Sequence, residues 1–303
     1  MNKTLKTIIS LLLSFLLIVS FYLTVAAFLL KNTMFSERFY NRVVDSADYR
    51  ELLMGTINND LITKSNFSAI PLEVLQAGVD DQLVRNGLHY HVMNTVKFLN
   101  YNLSSVEADY PVENFSVPLM EFIEEHALAE GYEPTEEQYQ LLEEVALDSA
   151  GIAKRHINIV NFDLVKDMSV FKSVHRVLYN VRRQLLPAFF GMLLMAALLA
   201  LLHRKEWRRG VFFILTSLWL SSALLAVPAL VTEIYALPRR LAIDTPYLKF
   251  AIDEWLTYIN SFIMYCGIGV LLVATVLLAM SFFSQKNLRR RRSSIRAEKQ
   301  NAG

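Results

Sequence analysis

The eight residues His203–Gly210 (His-Arg-Lys-Glu-Trp-Arg-Arg-Gly) constrain this chain more than any other stretch. They lie between two apolar runs, Leu185–Leu202 and Val211–Thr232, each long enough to cross a hydrocarbon layer of roughly 30 Å. A connection this short makes the two runs an antiparallel helical hairpin. Four of its eight residues are Arg or Lys, and short basic loops stay on the cytoplasmic side of a membrane. That assignment fixes the side expected for every other segment.

Lys3 and Lys6 precede Ile8–Leu30, which runs 23 residues without a charge. Val25-Ala26-Ala27 resembles the small-residue cleavage site of a signal peptide. Phe28-Leu29-Leu30 carries the apolar run past that point, so the run reads as an uncleaved anchor with its amino terminus inside. The expected layout is a cytoplasmic amino terminus (1–7), a first span (8–30), an extracytoplasmic helical domain with a stalk (31–184) and a second span (185–202). The basic cytoplasmic loop (203–210), a third span (211–232), an outer loop with an amphipathic helix (233–258), a fourth span (259–283) and a basic cytoplasmic tail (284–303) follow. The fold class is an all-α membrane protein, with four transmembrane helices and an all-helical extracytoplasmic domain inserted between the first and second.

Charge agrees with this layout. The three segments expected inside carry 13 Lys/Arg and 2 acids, whereas residues 31–184 carry 14 Lys/Arg and 23 acids, a net of −9. The mean hydropathy of +0.31 comes from the four runs. The asymmetry is a side-of-membrane signal and no nucleic-acid partner is expected. Cys266, the one cysteine, lies in the last run. An exported domain of about 150 residues can bury a core without disulfides, and their absence points to a bacterial plasma membrane. Three Asn-x-Ser sequons, at Asn66, Asn102 and Asn114, oppose that reading, but such triplets also arise by chance.

Residues 31–184 show helical periodicity throughout. Phe39, Val43, Leu52, Leu53, Ile57 and Leu61 predict a helix within Ser36–Ile62, with a turn around Asn66–Ala69. Pro71 suits a first turn, and Leu72, Leu75, Val79, Leu83, Leu88, Val92, Val96 and Leu99 predict a second helix to about Asn100. Asn102–Pro111 reads as a connection. Ser116 and Pro118 open a third helix that Gly131 closes, and Thr135-Glu-Glu-Gln138 is a capping-box pattern opening the next. A bundle of four or five helices is expected. Phe171, Val174, Leu178, Val181 and Leu185 form a heptad seam, predicting one helix from about Phe162 into the second span as a stalk. After Asp244-Thr245-Pro246, the residues Tyr247, Leu248, Ala251, Ile252, Trp255 and Leu256 share a face, predicting an amphipathic helix at the interface or packed beneath the outer domain.

The chemistry-bearing residues argue mostly by their absence from useful patterns. The spans hold no Asp, Glu, Lys, Arg or His at depth, which argues against a proton relay, a transport pathway or an intramembrane protease. Small residues recur at Ala196/Ala200, Ser217/Ser221, Ser222/Ala226 and Gly267 near Gly269, a pattern for close helix packing or for another subunit. Glu107–Asp148 contains 13 acids, with no Lys or Arg between Lys97 and Lys154. The acids follow helix faces and form no Asp-x-Asp-x-Asp loop, so a solvated acidic face is expected rather than a cation site. His89 and His91 point about 200° apart on a helix and cannot share a metal. His126, His156 and His175 stand singly. No His-Glu-x-x-His, Gly-x-Ser-x-Gly or phosphate-cradling glycine loop occurs.

In layout the chain is similar to the bacterial division subunits of the FtsX type, with four spans, a large first outer loop and a short second one. No sequence motif carries that likeness, and the outer segment here reads as helical rather than mixed α/β. Catalytic, cofactor-binding and metal sites are each expected to be absent. The expected function is that of a non-enzymatic multi-pass protein whose outer domain binds a ligand or partner and anchors or relays it to the membrane bundle. The alternative is a non-catalytic subunit of a transport or cell-envelope enzyme complex. Expected partners are the lipid bilayer and another membrane subunit or extracytoplasmic protein.

Overall fold

The structure, a computed structural model, describes residues 3–100, 110–158, 168–236 and 240–301, with side chains as far as residue 282. Among these residues all secondary structure is helical: α1 (Lys3–Asn32), α2 (Glu37–Val44), α3 (Ala47–Ser68), α4 (Leu72–Ala77), α5 (Asp81–Leu99), α6 (Glu113–Glu130), α7 (Glu136–Ile157), α8 (Ser169–Arg183), α9 (Leu185–Leu202), α10 (Trp207–Ile234) and α11 (Pro246–Asn301). A 3-10 turn, Arg204–Glu206, joins α9 to α10. Four helical stretches are long and apolar enough to cross a membrane, namely Lys3–Asn32, Leu185–Leu202, Arg204–Ile234 and Pro246–Phe282. The chain divides into two compact units. The span unit holds residues 1–30, 180–239 and 256–303; the second unit holds 31–179 and 240–255.

The span unit buries small residues and leaves large apolar ones outside. Ser10, Ser14, Gly210, Ser217, Ser221, Ser222 and Ala226 are buried, while Leu11, Leu12, Phe15, Phe190, Leu194 and Val273 are 54–62 % exposed. So much contiguous apolar surface is untenable in water but suits lipid, where small faces let backbones approach. Such approaches are close. A Cβ added at Gly267 would stand 2.8 Å from the Ala226 nitrogen, and one at Gly210 would stand 2.9 Å from the Leu199 carbonyl oxygen. Buried serines donate within their own helices, Ser217 to the Phe213 carbonyl and Ser222 to that of Leu218. Between helices, Tyr22 donates to the Ser221 carbonyl at 3.0 Å and the Trp219 indole N–H to Thr275 Oγ1 at 3.1 Å. Asn260 Nδ2 donates to the Ala229 carbonyl and to Glu233, both at 3.0 Å. Of the small residues picked from the sequence, Ala200 is exposed and Gly269 has open space where a Cβ would stand. Gly269 does not seat a helix, whereas the Ala200 backbone lies against Gly210 of α10.

The second unit is built around one stripe of α3. Tyr49, Leu53, Ile57 and Leu61 recur every four residues and all reach zero exposure. Leu75, Val84, Leu88, Phe115, Leu119, Ala146, Ala153 and Ile157 complete that core, joined by Tyr247 and Ala251 from the first turns of α11. Burial of each large apolar side chain contributes about 1.5–3 kcal/mol. The amphipathic stretch after Pro246 therefore packs into a protein core through Tyr247 and Ala251. It is also continuous with the last span: α11 runs unbroken from Pro246 to Asn301, where two elements were expected.

Local chemistry explains where other elements differ from expectation. Ser46 caps α3 by accepting from the Tyr49 N–H at 3.2 Å, which ends α2 at Val44 and splits the helix expected over Ser36–Ile62. Asp80 likewise accepts from Gln82 N–H at 2.7 Å, splitting the helix expected from Pro71 to Asn100 into α4 and α5. Helix α6 begins at Glu113, ahead of Ser116, and carries Pro118 within it. Gly131 closes α6 at φ 73°, and the Thr135–Gln138 capping box forms with both reciprocal bonds. The expected continuous stalk is interrupted at Gln184, between α8 and α9. Pro187 explains the break: it has no N–H to return to the Arg183 carbonyl, and its ring crowds that oxygen. Of the seam residues Val174 is 51 % exposed, whereas His175 beside it is buried, its Nε2 2.7 Å from the Leu99 carbonyl oxygen. The expected stalk start near Phe162 and most of the Asn102–Pro111 connection lie outside the described residues.

Between α4 and α5 the chain turns under a buried aromatic pair. The Tyr110 hydroxyl donates to the Gly78 carbonyl and accepts from the Asp80 N–H, both at 3.1 Å. A Cβ at Gly78 would fall 2.3 Å from the Phe115 ring, and Phe115 is fully buried. Gly78→Ala is therefore expected to cost about 1–3 kcal/mol through overpacking. A lowered thermal midpoint of the purified protein checks this; an unchanged midpoint would show that the ring has room to move.

Candidate functional site

Helices α6 and α7 pair across the Gly131–Thr135 turn, and sequence dictates what their outer faces carry. Both bury one stripe, Phe115, Leu119 and Ala127 on α6 and Leu142, Ala146, Ser149 and Ala153 on α7. Outside that stripe lie the acids, and Glu121, Glu124, Glu125, Glu136, Glu137, Glu143 and Glu144 are exposed. Apolar side chains are interspersed among them: Val117 is 53 %, Met120 45 %, Leu141 62 % and Leu147 62 % exposed. A cleft of about 530 Å³ opens between the two helices, with Val112, Met120, Tyr139, Leu142 and Leu147 as apolar lining and Glu113, Glu136 and Glu143 as its charges. No cation lines it. A groove of this kind offers an apolar floor and a negative rim, which is the complement of a cationic amphipathic helix.

Lys64 pairs with Asp148 of α7, outside the cleft lining, a partly exposed pair worth little to stability. Among the described residues no group of three His, Cys, Asp or Glu side chains stands close enough to hold a metal ion. His89 lies between Asp45 Oδ1 at 3.0 Å and Asn41 Oδ1 at 3.2 Å, while His91 is buried elsewhere on the same helix. The two point apart, as their spacing requires.

His156 does not stand alone, contrary to its isolated place in the sequence. Its Nε2 lies 2.9 Å from Asp60 Oδ2 and its Nδ1 3.1 Å from the Tyr247 hydroxyl. One consistent assignment has Nε2–H donating to the carboxylate and the phenol donating to Nδ1. The order carboxylate–imidazole–hydroxyl has the form of an activated nucleophile, but its terminal hydroxyl belongs to a tyrosine only 4 % exposed. The chain instead ties α3, α7 and the start of α11 into one polar cluster, and 96 and 91 residues separate His156 from its two partners. Local spacing carries no trace of such a contact.

Beside this cluster Tyr49 meets the Tyr247 ring edge-on at 5.9 Å, and its buried hydroxyl has no hydrogen-bond partner. Burial, and then the neighbouring Tyr247, push the Tyr49 phenol far above its ordinary value. The unfolded chain therefore gives up this proton first. The stability held through Tyr49 is intact below about pH 10 and is lost as pH rises from there toward the folded value. Tyr49→Phe is expected to leave stability at neutral pH unchanged or higher, since an unpaired buried hydroxyl only costs. It should also move alkaline unfolding, followed by circular dichroism, to higher pH. A large loss of stability at neutral pH would show that the hydroxyl has a partner after all.

No protein-family model matches this chain, and neither a curated protein nor a solved structure matches it.

Proposed function

We propose that this chain is a non-enzymatic plasma-membrane protein of bacterial type. In this reading its second unit lies outside the membrane and binds a cationic amphipathic segment in the α6–α7 cleft. The span unit anchors that event in the bilayer, with residues 31–184 and 233–258 outside and both termini inside. The observation that carries the reading is the cleft itself, where exposed Met120 and Leu147 stand among Glu113, Glu136 and Glu143 without a cation. Apolar side chains kept open on an otherwise charged surface mark a contact face, and the negative rim selects the sign of what lands there. The inside-positive charge distribution of the sequence supports the orientation. The inaccessibility of the Tyr247 hydroxyl supports a role without catalysis.

Two measurements test this reading. The first uses Glu136→Cys in a Cys266→Ser background on intact cells, where an impermeant thiol reagent should label it. Labelling only after lysis would overturn the orientation. In the second, the full-length protein in mild detergent is titrated with a fluorescent cationic amphipathic peptide and with a scrambled peptide of equal charge. Only the amphipathic peptide should bind, and Leu147→Asp or Glu136→Gln with Glu143→Gln should each weaken it about tenfold, the effect of roughly 1–2 kcal/mol. Equal binding of the scrambled peptide would reduce the cleft to plain charge attraction. A protein blind to both peptides that co-purifies stoichiometrically with another membrane chain would instead favour a non-catalytic subunit of a transport or envelope complex.

A further inference from the structure

A second cavity, wholly within the span unit, gathers cations from parts of the chain some 200 residues apart. It measures about 490 Å³ and is lined by Lys3, Lys6 and Thr7 from α1, by His203, and by Arg208, Arg209, Phe212 and Phe213 from the start of α10. No acid lines it. Glu206 stands nearby, with its carboxylate 2.8 Å from Arg209. At the inner corner His203 is buried, with its Nε2 2.8 Å from Ser10 Oγ and its ring stacked on Phe213 at 5.5 Å. Its Nδ1 is buried without a hydrogen-bond partner.

Four cations line this one cavity; Glu206 offsets Arg209 at its edge, and the positive charge that remains favours an anion. The positions are built rather than incidental. Gly210 allows α10 to cross within van der Waals reach of Leu199, Ala200 and His203, which brings the Arg208–Arg209 pair back toward α1. The Ser10–His203 bond fastens α1 to the same corner. The cavity also stands at the ends of apolar helical stretches, which in a bilayer would be the level of the lipid headgroups. Its chemistry divides accordingly, with guanidinium and ammonium groups for a phosphate and two phenylalanines beside them for the apolar part that follows.

We propose that this cavity binds a phosphate-bearing anion, supplied by the headgroup of an anionic phospholipid. Lys6, Arg208 and Arg209 hold the phosphate, and Phe212 and Phe213 border the glycerol and upper acyl region. Burial, together with Lys6, holds the His203 imidazole below its ordinary protonation range. An anion in the cavity offsets Lys6 and Arg209, so occupation should raise the His203 titration midpoint.

The test reconstitutes the full-length protein in discs of phosphatidylcholine alone or of equimolar phosphatidylcholine and phosphatidylglycerol. The lipid retained after transfer to mild detergent is counted by native mass spectrometry. Selective retention of phosphatidylglycerol is expected, reduced about tenfold or more in Lys6→Gln with Arg209→Gln, at the usual weight of a basic residue near anionic lipid. Arg204→Gln with Lys205→Gln removes the same amount of charge from the adjoining turn, outside the cavity lining, and should leave retention near the native level. Equal losses from both pairs, or no preference for phosphatidylglycerol, would overturn the site. Inorganic phosphate, added to discs of each composition, separates the two sources. If phosphate alone raises the His203 midpoint and displaces phosphatidylglycerol, the phosphate site stands with a soluble ligand, and the lipid assignment is overturned. A midpoint that moves with phosphatidylglycerol but not with phosphate supports the lipid. Thermal midpoints of both double variants confirm that each is folded.

Discussion

Where large apolar side chains can be left exposed governs this molecule. In the span unit Leu, Phe and Val face outward while serines, glycines and alanines meet inside. With lipid as the solvent there is no gain from hiding a leucine, so helix association rests on close backbone approach and on polar clasps. Gly267 against Ala226 and Gly210 against Leu199 supply the first. Tyr22 to Ser221 and Asn260 to Ala229 and Glu233 supply the second. The second unit follows the opposite rule, with Tyr49, Leu53, Ile57 and Leu61 buried completely and acids outward.

Polar groups in the second unit are used in two distinct ways. Asp60, His156 and Tyr247 satisfy one another at the core edge, where an unpaired imidazole or phenol would cost about 1–3 kcal/mol. Their order resembles a catalytic relay whose hydroxyl end is buried in the core, where it joins three helices. The glutamates of α6 and α7 pair little and border open apolar surface. That combination suits recognition, because charge sets the sign of a partner while the apolar floor sets its shape.

The α-helical class and the four apolar spans were legible in the sequence, since both rest on periodicity and run length, which are local properties. So were the Thr135 capping box and the Gly131 terminus, each a contact within a few residues. Helix interruptions were legible only in part. Ser46 and Asp80 are ordinary cap residues, but unbroken hydrophobic periodicity on either side masked them, and the packing of Gly78 beneath Phe115 decided the second break. Pro187 was visible, yet its effect falls on the residues before it, where the sequence suggested a continuous stalk.

By itself the sequence determined that this chain is helical, that four stretches can cross a membrane, and that the acids between Glu107 and Asp148 follow helix faces. Those facts follow from side-chain chemistry and a 3.6-residue repeat. Only the tertiary structure decided that α11 begins inside a protein core, that His156 meets Asp60 and Tyr247, and that Lys3 and Lys6 share a cavity with Arg208 and Arg209. Each of these joins residues about 90 to 200 positions apart. Such contacts are fixed by how helices dock, through steric fit at particular glycines and hydrogen bonds between distant side chains, and neither leaves a periodic mark in the sequence.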